Sequence, residues 1–126
     1  TEEDPEYSMS KQEAFNIFGN YFDQGMTINE VLTAVNAQLM ETGRAPLVSE
    51  EAKEYWVQNY ADMTVTQIYL ESYNLETKRP DVLGTHDLIV RRLGRLGYTK
   101  DEILGAMHVG RLYFDMAMDQ ARMKGE

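Results

Sequence analysis

Apolar side chains recur at intervals of three and four residues through most of the 126-residue chain, the spacing that places them on one face of an α-helix. Ser10 with Glu13, and Thr27 with Glu30, have the spacing of the capping box that begins a helix. Gly25 and Gly43 follow the two apolar patterns, where glycine commonly ends a helix. The first 43 residues therefore predict two helices joined by a tight turn.

Two further helices are predicted in the middle of the chain. Ser49 precedes Glu50 and Glu51, which suits the start of a third helix because the helix dipole favours acidic groups there. Thr64 with Gln67 resembles the start of a fourth. Residues 64–70 are rich in β-branched side chains and also fit a strand. Because no second strand candidate is available to pair with them, we favour a helix.

The last part of the chain predicts a short helix and a long one. Thr85 is placed to cap a fifth helix that Gly97 closes, and Thr99 with Glu102 begins a last helix running to about residue 124. Residues 1–8 are acidic and aperiodic and predict a disordered tail. We therefore expect an all-α fold. It is a single compact domain over residues 9–126, with about six helices built from helix hairpins and a long C-terminal helix.

The two predicted hairpins resemble each other. Residues 25–35 and 97–107 share a glycine, a hydrophobic residue, a threonine cap, a glutamate and an apolar pair, within hairpins over 10–42 and 85–124. Duplication and convergence on a good helix turn both explain this. Residues 95–99 also resemble the Leu/Met-Gly-Phe/Tyr loop of ubiquitin-associated three-helix domains. Those domains turn into a third short helix, whereas here the last helix runs on, and we assign no family.

Charge is distributed unevenly along the chain. The net charge is −9, with fourteen acidic and three basic residues in 1–76 but seven acidic and nine basic residues in 77–126. The total argues against general nucleic-acid binding, which needs a basic surface, and the asymmetry favours docking to a partner. There is no cysteine, no apolar run of membrane-spanning length and no export signal pattern. We expect a cytoplasmic protein.

No motif predicts catalysis, a cofactor or a metal site. The phosphate-binding, dinucleotide and metalloprotease motifs are missing from the sequence. His86 is expected at the surface beside a helix start. His108, Asp115 and Asp119 could form a catalytic group, but Arg111 with Asp115 and Asp119 with Arg122 have the spacing of surface ion pairs. We therefore predict that the chain is not an enzyme.

Two surfaces are candidates for protein interaction. The apolar arc of the last helix spans about 200°, wider than one core contact needs, which indicates either a central helix or a face shared with a second copy. Its candidate contacts are Gly110, Tyr113, Phe114 and Ala117. The other surface is the fifth helix, on which Arg91 and Arg95 should point outward and Arg92 should lie near the boundary.

Our first functional hypothesis is a non-enzymatic protein-interaction module, namely a small acidic adaptor, assembly factor or regulator. Its partner is another protein of unknown identity, or a second copy bound through the C-terminal helix. The alternative is a nucleic-acid-binding regulator using the basic helix over residues 85–96 and the hairpin that follows. An acidic inhibitor that mimics DNA is a variant that the acidic N-terminal half leaves open.

Overall fold

The computed structural model describes residues 9–74, 79–80 and 82–124. Within them the chain forms five α-helices: α1 (Lys11–Asp23), α2 (Ile28–Glu41), α3 (Glu50–Glu71), α4 (Val82–Leu96) and α5 (Lys100–Met123). Two-residue strands β1 (Tyr73–Asn74) and β2 (Arg79–Pro80) pair antiparallel between α3 and α4. The all-α class and the long C-terminal helix are confirmed. The predicted acidic tail, residues 1–8, lies outside the described residues.

The chain divides into two compact units, a first unit up to Tyr60 and a second unit from Ala61 onward. The boundary falls inside α3, so this helix contributes its first half to one unit and its second half to the other. The expectation of a single domain over residues 9–126 stays a prediction.

The number of helices predicted from the sequence was wrong, because α3 continues through the expected fourth start at Thr64. The segment from 50 to 71 contains no glycine or proline that would end it. Thr64, Val65 and Ile68 are buried in the helix, and the Thr66 hydroxyl donates to the Asp62 carbonyl oxygen at 2.9 Å. Residues 64–70 are therefore helical, as favoured, but they belong to α3.

In the first unit, hydrogen bonds fix the starts of both helices of the α1–α2 hairpin and join its two ends. Ser10 caps α1 by accepting from the Glu13 amide at 3.1 Å. The Glu13 carboxylate accepts from Arg44 Nη1 at 2.7 Å. Thr27 and Glu30 form the complete capping box of α2. Gly25, with a φ of 86°, makes the turn between α1 and α2 in a conformation that glycine adopts without steric cost.

The core of the first unit also includes part of a loop. Residues 44–48 connect α2 to α3, and Leu47 among them is fully buried. The Asn36 side chain holds it by donating to the Leu47 carbonyl at 3.0 Å and accepting from the Leu47 amide at 2.7 Å. Trp56 is also buried, as expected from its position on the apolar face of α3. The other buried apolar residues of the two hairpin helices are Ala14, Phe18, Phe22, Val31, Val35 and Leu39.

In the second unit, α4 begins at Val82 rather than after the predicted cap at Thr85. Thr85 is buried and shares one face of the helix with Ile89 and Leu93, which are also buried. Burial on that face outweighs the preference of threonine for a helix end. The α4–α5 turn follows the prediction, with a φ of 104° at Gly97 and a capping box formed by Thr99 and Glu102.

Both predicted hairpins therefore have the same kind of turn, a glycine in the left-handed conformation followed by a threonine–glutamate capping box. Whether the similarity of residues 25–35 and 97–107 reflects duplication or convergence stays open. The departure from the ubiquitin-associated pattern is confirmed, since α5 continues to Met123.

Helices α3 and α5 approach each other closely within the second unit at Gly110. A Cβ atom at this position would lie 2.5 Å from Val65 Cγ1 and 3.0 Å from the Asp62 carbonyl oxygen. The Thr66 hydroxyl is also within hydrogen-bonding distance of the Gly110 carbonyl oxygen, at 3.2 Å. Only glycine permits this approach without moving one of the helices.

We predict that Gly110→Ala lowers the free energy of unfolding by roughly 1–3 kcal/mol, because the added methyl group overpacks the α3–α5 contact. Gly94→Ala is the matched control. Among the described residues, no atom lies within 4 Å of the Cβ it would add. That substitution should raise stability by up to about 1 kcal/mol through helix propensity. Urea unfolding followed by circular dichroism measures both, and equal effects would contradict the close approach.

Candidate functional site

The outward side of α4 carries the predicted arginines. Arg91, Arg92 and Arg95 are all exposed, including Arg92, for which the helical spacing predicted a position near the boundary of the core. Ile89 and Leu93 are fully buried on the other side of the helix. Val90, next to the arginines, keeps 49% of its surface exposed. We call the surface formed by Val90, Arg91, Arg92, Gly94 and Arg95 the arginine face.

The guanidinium groups of the arginine face are only lightly engaged. Arg91 Nε lies 3.3 Å from Asp87 Oδ2 one turn earlier, and both side chains remain mostly exposed. Such a pair contributes at most about 1 kcal/mol. Arg92 and Arg95 make no ion pair with the described residues. Their donors therefore remain available to a carboxylate or phosphate from outside the chain.

Gly94 is a second feature of the arginine face that the fold does not explain. It lies in the last turn of α4, and among the described residues no atom occupies the space around its missing side chain. Glycine within a helix is less favourable than alanine by up to about 1 kcal/mol. Nothing described in the chain requires the absence of a side chain here, whereas a helix packing closely against α4 from outside would require it.

The predicted contacts on α5 are largely used inside the second unit. Gly110 and Phe114 are buried, and Phe114 packs 5.8 Å from the Tyr69 ring and 6.1 Å from the Tyr73 ring, measured between centroids. Tyr113 and Ala117 are half-buried. Part of the wide apolar arc of α5 is therefore buried against α3 within the second unit. A role for these four residues in self-association stays a prediction.

Three of the exposed apolar residues of α5 lie on the side of the helix opposite the buried Gly110 and Phe114. Leu104, Leu112 and Met116 each keep about half of their surface exposed, at 53%, 49% and 58%. His108 lies between them in a row of residues spaced by four, and it is exposed. In the sequence, Leu104 and Leu112 stand out only as interruptions among the polar residues on the outer side of the last helix, which we call the polar stripe. The spacing of four residues between Leu112 and Met116, and of eight between Leu104 and Leu112, is the sequence signal for this exposed row, which we call the ridge.

A buried tyrosine and a histidine meet between α3 and α4. Tyr69 is 2% exposed, and its hydroxyl lies 2.9 Å from His86 Nε2. The direction of this hydrogen bond depends on the imidazole tautomer. The expectation that His86 is a surface residue was wrong, because the imidazole is half-buried and ties α4 to α3. A single sequence does not reveal this pair, since seventeen residues separate its members.

Arg111 completes this cluster. Its guanidinium carbon lies 5.6 Å from the Tyr69 ring centroid and 5.7 Å from the Phe114 ring centroid, within the range of a cation–π contact. Burial raises the pKa of the Tyr69 hydroxyl above its ordinary value of 10.0, and the positive charge of Arg111 opposes this rise only in part. Tyr69 is therefore a neutral hydrogen-bonding group at physiological pH.

The polar stripe of α5 forms the ion pairs that its spacing predicts. Arg111 Nε donates to Asp115 Oδ1 at 3.2 Å, and Arg122 pairs with Asp119. Across the described residues, no group of three or more histidine, aspartate or glutamate side chains is arranged to hold a metal ion. In the same part of the chain, no helix combines the length and apolar character that crossing a membrane requires.

Comparison with protein-family models, with curated proteins and with solved structures gives no match for this chain. The surface residues of the chain are therefore the basis on which a function can be assigned.

We predict a loss of stability at alkaline pH that depends on Tyr69. Because its folded-state pKa is raised, the stability that it contributes is fully present below pH 10, the value in the unfolded chain, and falls as pH rises through the higher folded-state value. Tyr69→Phe should cost about 1 kcal/mol at pH 7 through the lost hydrogen bond. Its stability should then decline less than that of the wild type above pH 10.

Urea unfolding at several pH values between 7 and 11 tests this prediction. Tyr55→Phe is the control, because the Tyr55 side chain is partly exposed at 37%. Parallel alkaline declines in the wild type and in Tyr69→Phe would show that other groups cause the loss.

Proposed function

We propose that this chain is a non-enzymatic protein-interaction module, such as a small adaptor, assembly factor or regulator, that binds through the arginine face of α4. The observation that carries the proposal is the combination of three exposed arginines with Gly94. In the described part of the chain, nothing requires the open space at that glycine. The proposed location is the cytoplasm.

The chemistry of the arginine face favours a protein partner that presents carboxylates. Guanidinium groups bind carboxylates in a planar, two-point geometry, and arginine is enriched at the energetically important positions of interfaces. Val90 offers an apolar contact beside these charges. Gly94 would allow a partner's backbone to come close. An acidic helix or loop with a small apolar centre fits these features.

Nucleic acid is the alternative occupant, because a basic helix followed by a helix hairpin also suits phosphate contacts. Two observations weigh against it. The net charge of −9 repels a polyanion over distances of about 10 Å at 0.1 M salt. Asp101 is exposed in the first turn of α5, directly after the hairpin turn, where it would face phosphates.

We predict that Arg91→Gln with Arg95→Gln abolishes the capture of protein partners from host lysate by the immobilised chain. Gly94→Leu should have the same effect without changing charge, because its side chain enters the open space that the partner would use. Quantitative mass spectrometry of the captured proteins is the measurement. All variants should keep the helical circular dichroism of the wild type.

The control is Arg122→Gln with Lys124→Gln, which removes the same charge from exposed positions at the end of α5. Partners should still be captured by this variant. Fluorescence anisotropy with a labelled 24-base-pair duplex DNA distinguishes the alternative. Micromolar, salt-sensitive DNA binding that the α4 substitutions abolish would replace the proposal with a nucleic-acid function.

A further inference from the structure

The first unit has an exposed face that complements the arginine face. Thr33, Ala37 and Met40 lie on the side of α2 opposite the buried Val31, Val35 and Leu39, and Met40 is 60% exposed. A shallow groove of about 470 Å³ follows this side of the helix. It is lined by Met26, Asn29, Glu30, Thr33, Ala34 and Ala37. We call this surface the α2 face.

The shape of the α2 face suits another helix. Methionine side chains lie at its two ends, and they adapt to different partner surfaces because they are flexible and polarisable. Thr33, Ala34 and Ala37 between them have small side chains, so a second helix can approach this part of the 14-residue helix, which is roughly 21 Å long. Helix recognition in apolar grooves uses this arrangement.

The charge of the α2 face selects a basic partner. Glu30 and Glu41 are exposed along one edge of the face, and α2 contains no lysine or arginine. The face is therefore an apolar strip with negative charge along one edge. The arginine face of α4 also has an uncharged strip, formed by Val90 and Gly94, but the charges beside it are the positive charges of Arg91 and Arg95.

We propose that the occupant of the α2 face is the arginine face of a second copy of this chain. This inference rests on the proposed function, because it uses the same α4 surface and names its partner. Arg91 and Arg95 of one copy would meet the edge formed by Glu30 and Glu41 of the next. Val90 would enter the groove beside Ala37.

The distribution of charge favours a contact between a first unit and a second unit over a contact between two first units. The sequence up to Tyr60 holds eleven acidic and three basic residues, a net −8, whereas the rest holds ten acidic and nine basic residues, a net −1. Two first units facing each other would repel strongly, while a first unit facing a second unit, at −8 against −1, would repel far less. A contact between two different surfaces closes into a symmetric pair when it forms twice between the same two copies, and otherwise it extends into a ring or a chain.

The contact should be weak. One helix lying along another covers less than the roughly 800 Å² per partner that a stable interface buries. The attraction between its charged edges is also screened by salt. We expect the average mass of the wild type to rise above 14.5 kDa with protein concentration at low salt, and to return towards that value at high salt.

Two variants that each lose one face test the contact. Arg91→Gln with Arg95→Gln removes two positive charges from the arginine face. Ala37→Lys with Glu41→Lys changes two exposed positions of the α2 face, so that the first lysine fills the groove and the second reverses the charge of the edge. Each variant alone should associate at least about tenfold more weakly than the wild type, since up to two ion pairs are lost. Sedimentation equilibrium at 50 mM and 500 mM salt gives the masses.

Mixing the two variants is the decisive measurement. The first keeps an intact α2 face and the second keeps an intact arginine face, so one wild-type contact can form between them. We expect a one-to-one complex that grows no further. Arg122→Gln with Lys124→Gln should associate like the wild type. A wild type that stays monomeric at millimolar concentration and low salt, or a mixture that forms no complex, would overturn the self-assembly.

Failure of self-assembly can be distinguished from failure of the proposed function. If self-assembly fails but lysate partners are still captured through Arg91 and Arg95, the arginine face binds a different acidic protein. If the mixture forms its one-to-one complex and no lysate partner is captured, the second copy is the partner. Failure of both measurements would remove the arginine face as an interaction surface.

Discussion

Helices α3 and α5 approach each other within the second unit at Gly110, and the contacts around that point depend on the missing side chain. The Thr66 hydroxyl reaches the Gly110 carbonyl oxygen only because the two backbones are close. One turn further along α5, Phe114 packs against Tyr69, and Arg111 lies over both rings. Any residue larger than glycine would separate the helices and weaken this whole set of contacts.

The parts of this structure that the sequence predicts well are those determined by neighbouring residues. The capping boxes at Thr27 and Thr99 and the left-handed glycines at 25 and 97 each depend on four or five consecutive positions. The same is true of the ion pairs along α5, whose partners are three or four residues apart. The outward direction of Arg91 and Arg95 follows from the helical period alone.

The errors arise where distant residues decide the outcome. Thr64 and Thr85 resemble helix caps, yet both lie inside helices because the apolar contacts of the second unit bury them. The Tyr69–His86 hydrogen bond and the burial of Leu47 depend on residues seventeen and eleven positions away. On α5 the helical spacing placed Leu104 and Leu112 outside the apolar arc but Met116 within it, and Met116 is 58% exposed beside the two leucines.

Two glycines within helices, Gly110 and Gly94, differ in whether the fold accounts for them. Gly110 and Gly94 both lie within helices, where glycine is unfavourable relative to alanine. At Gly110 the fold supplies the reason, because Val65 occupies the space that a side chain would need. At Gly94 the described residues supply none, and the neighbouring arginines have lightly engaged or unpaired charges. A small residue beside guanidinium groups that make one exposed ion pair with the described residues suits a close, carboxylate-bearing contact from outside the chain, and this combination is the basis of the proposed interaction through the arginine face.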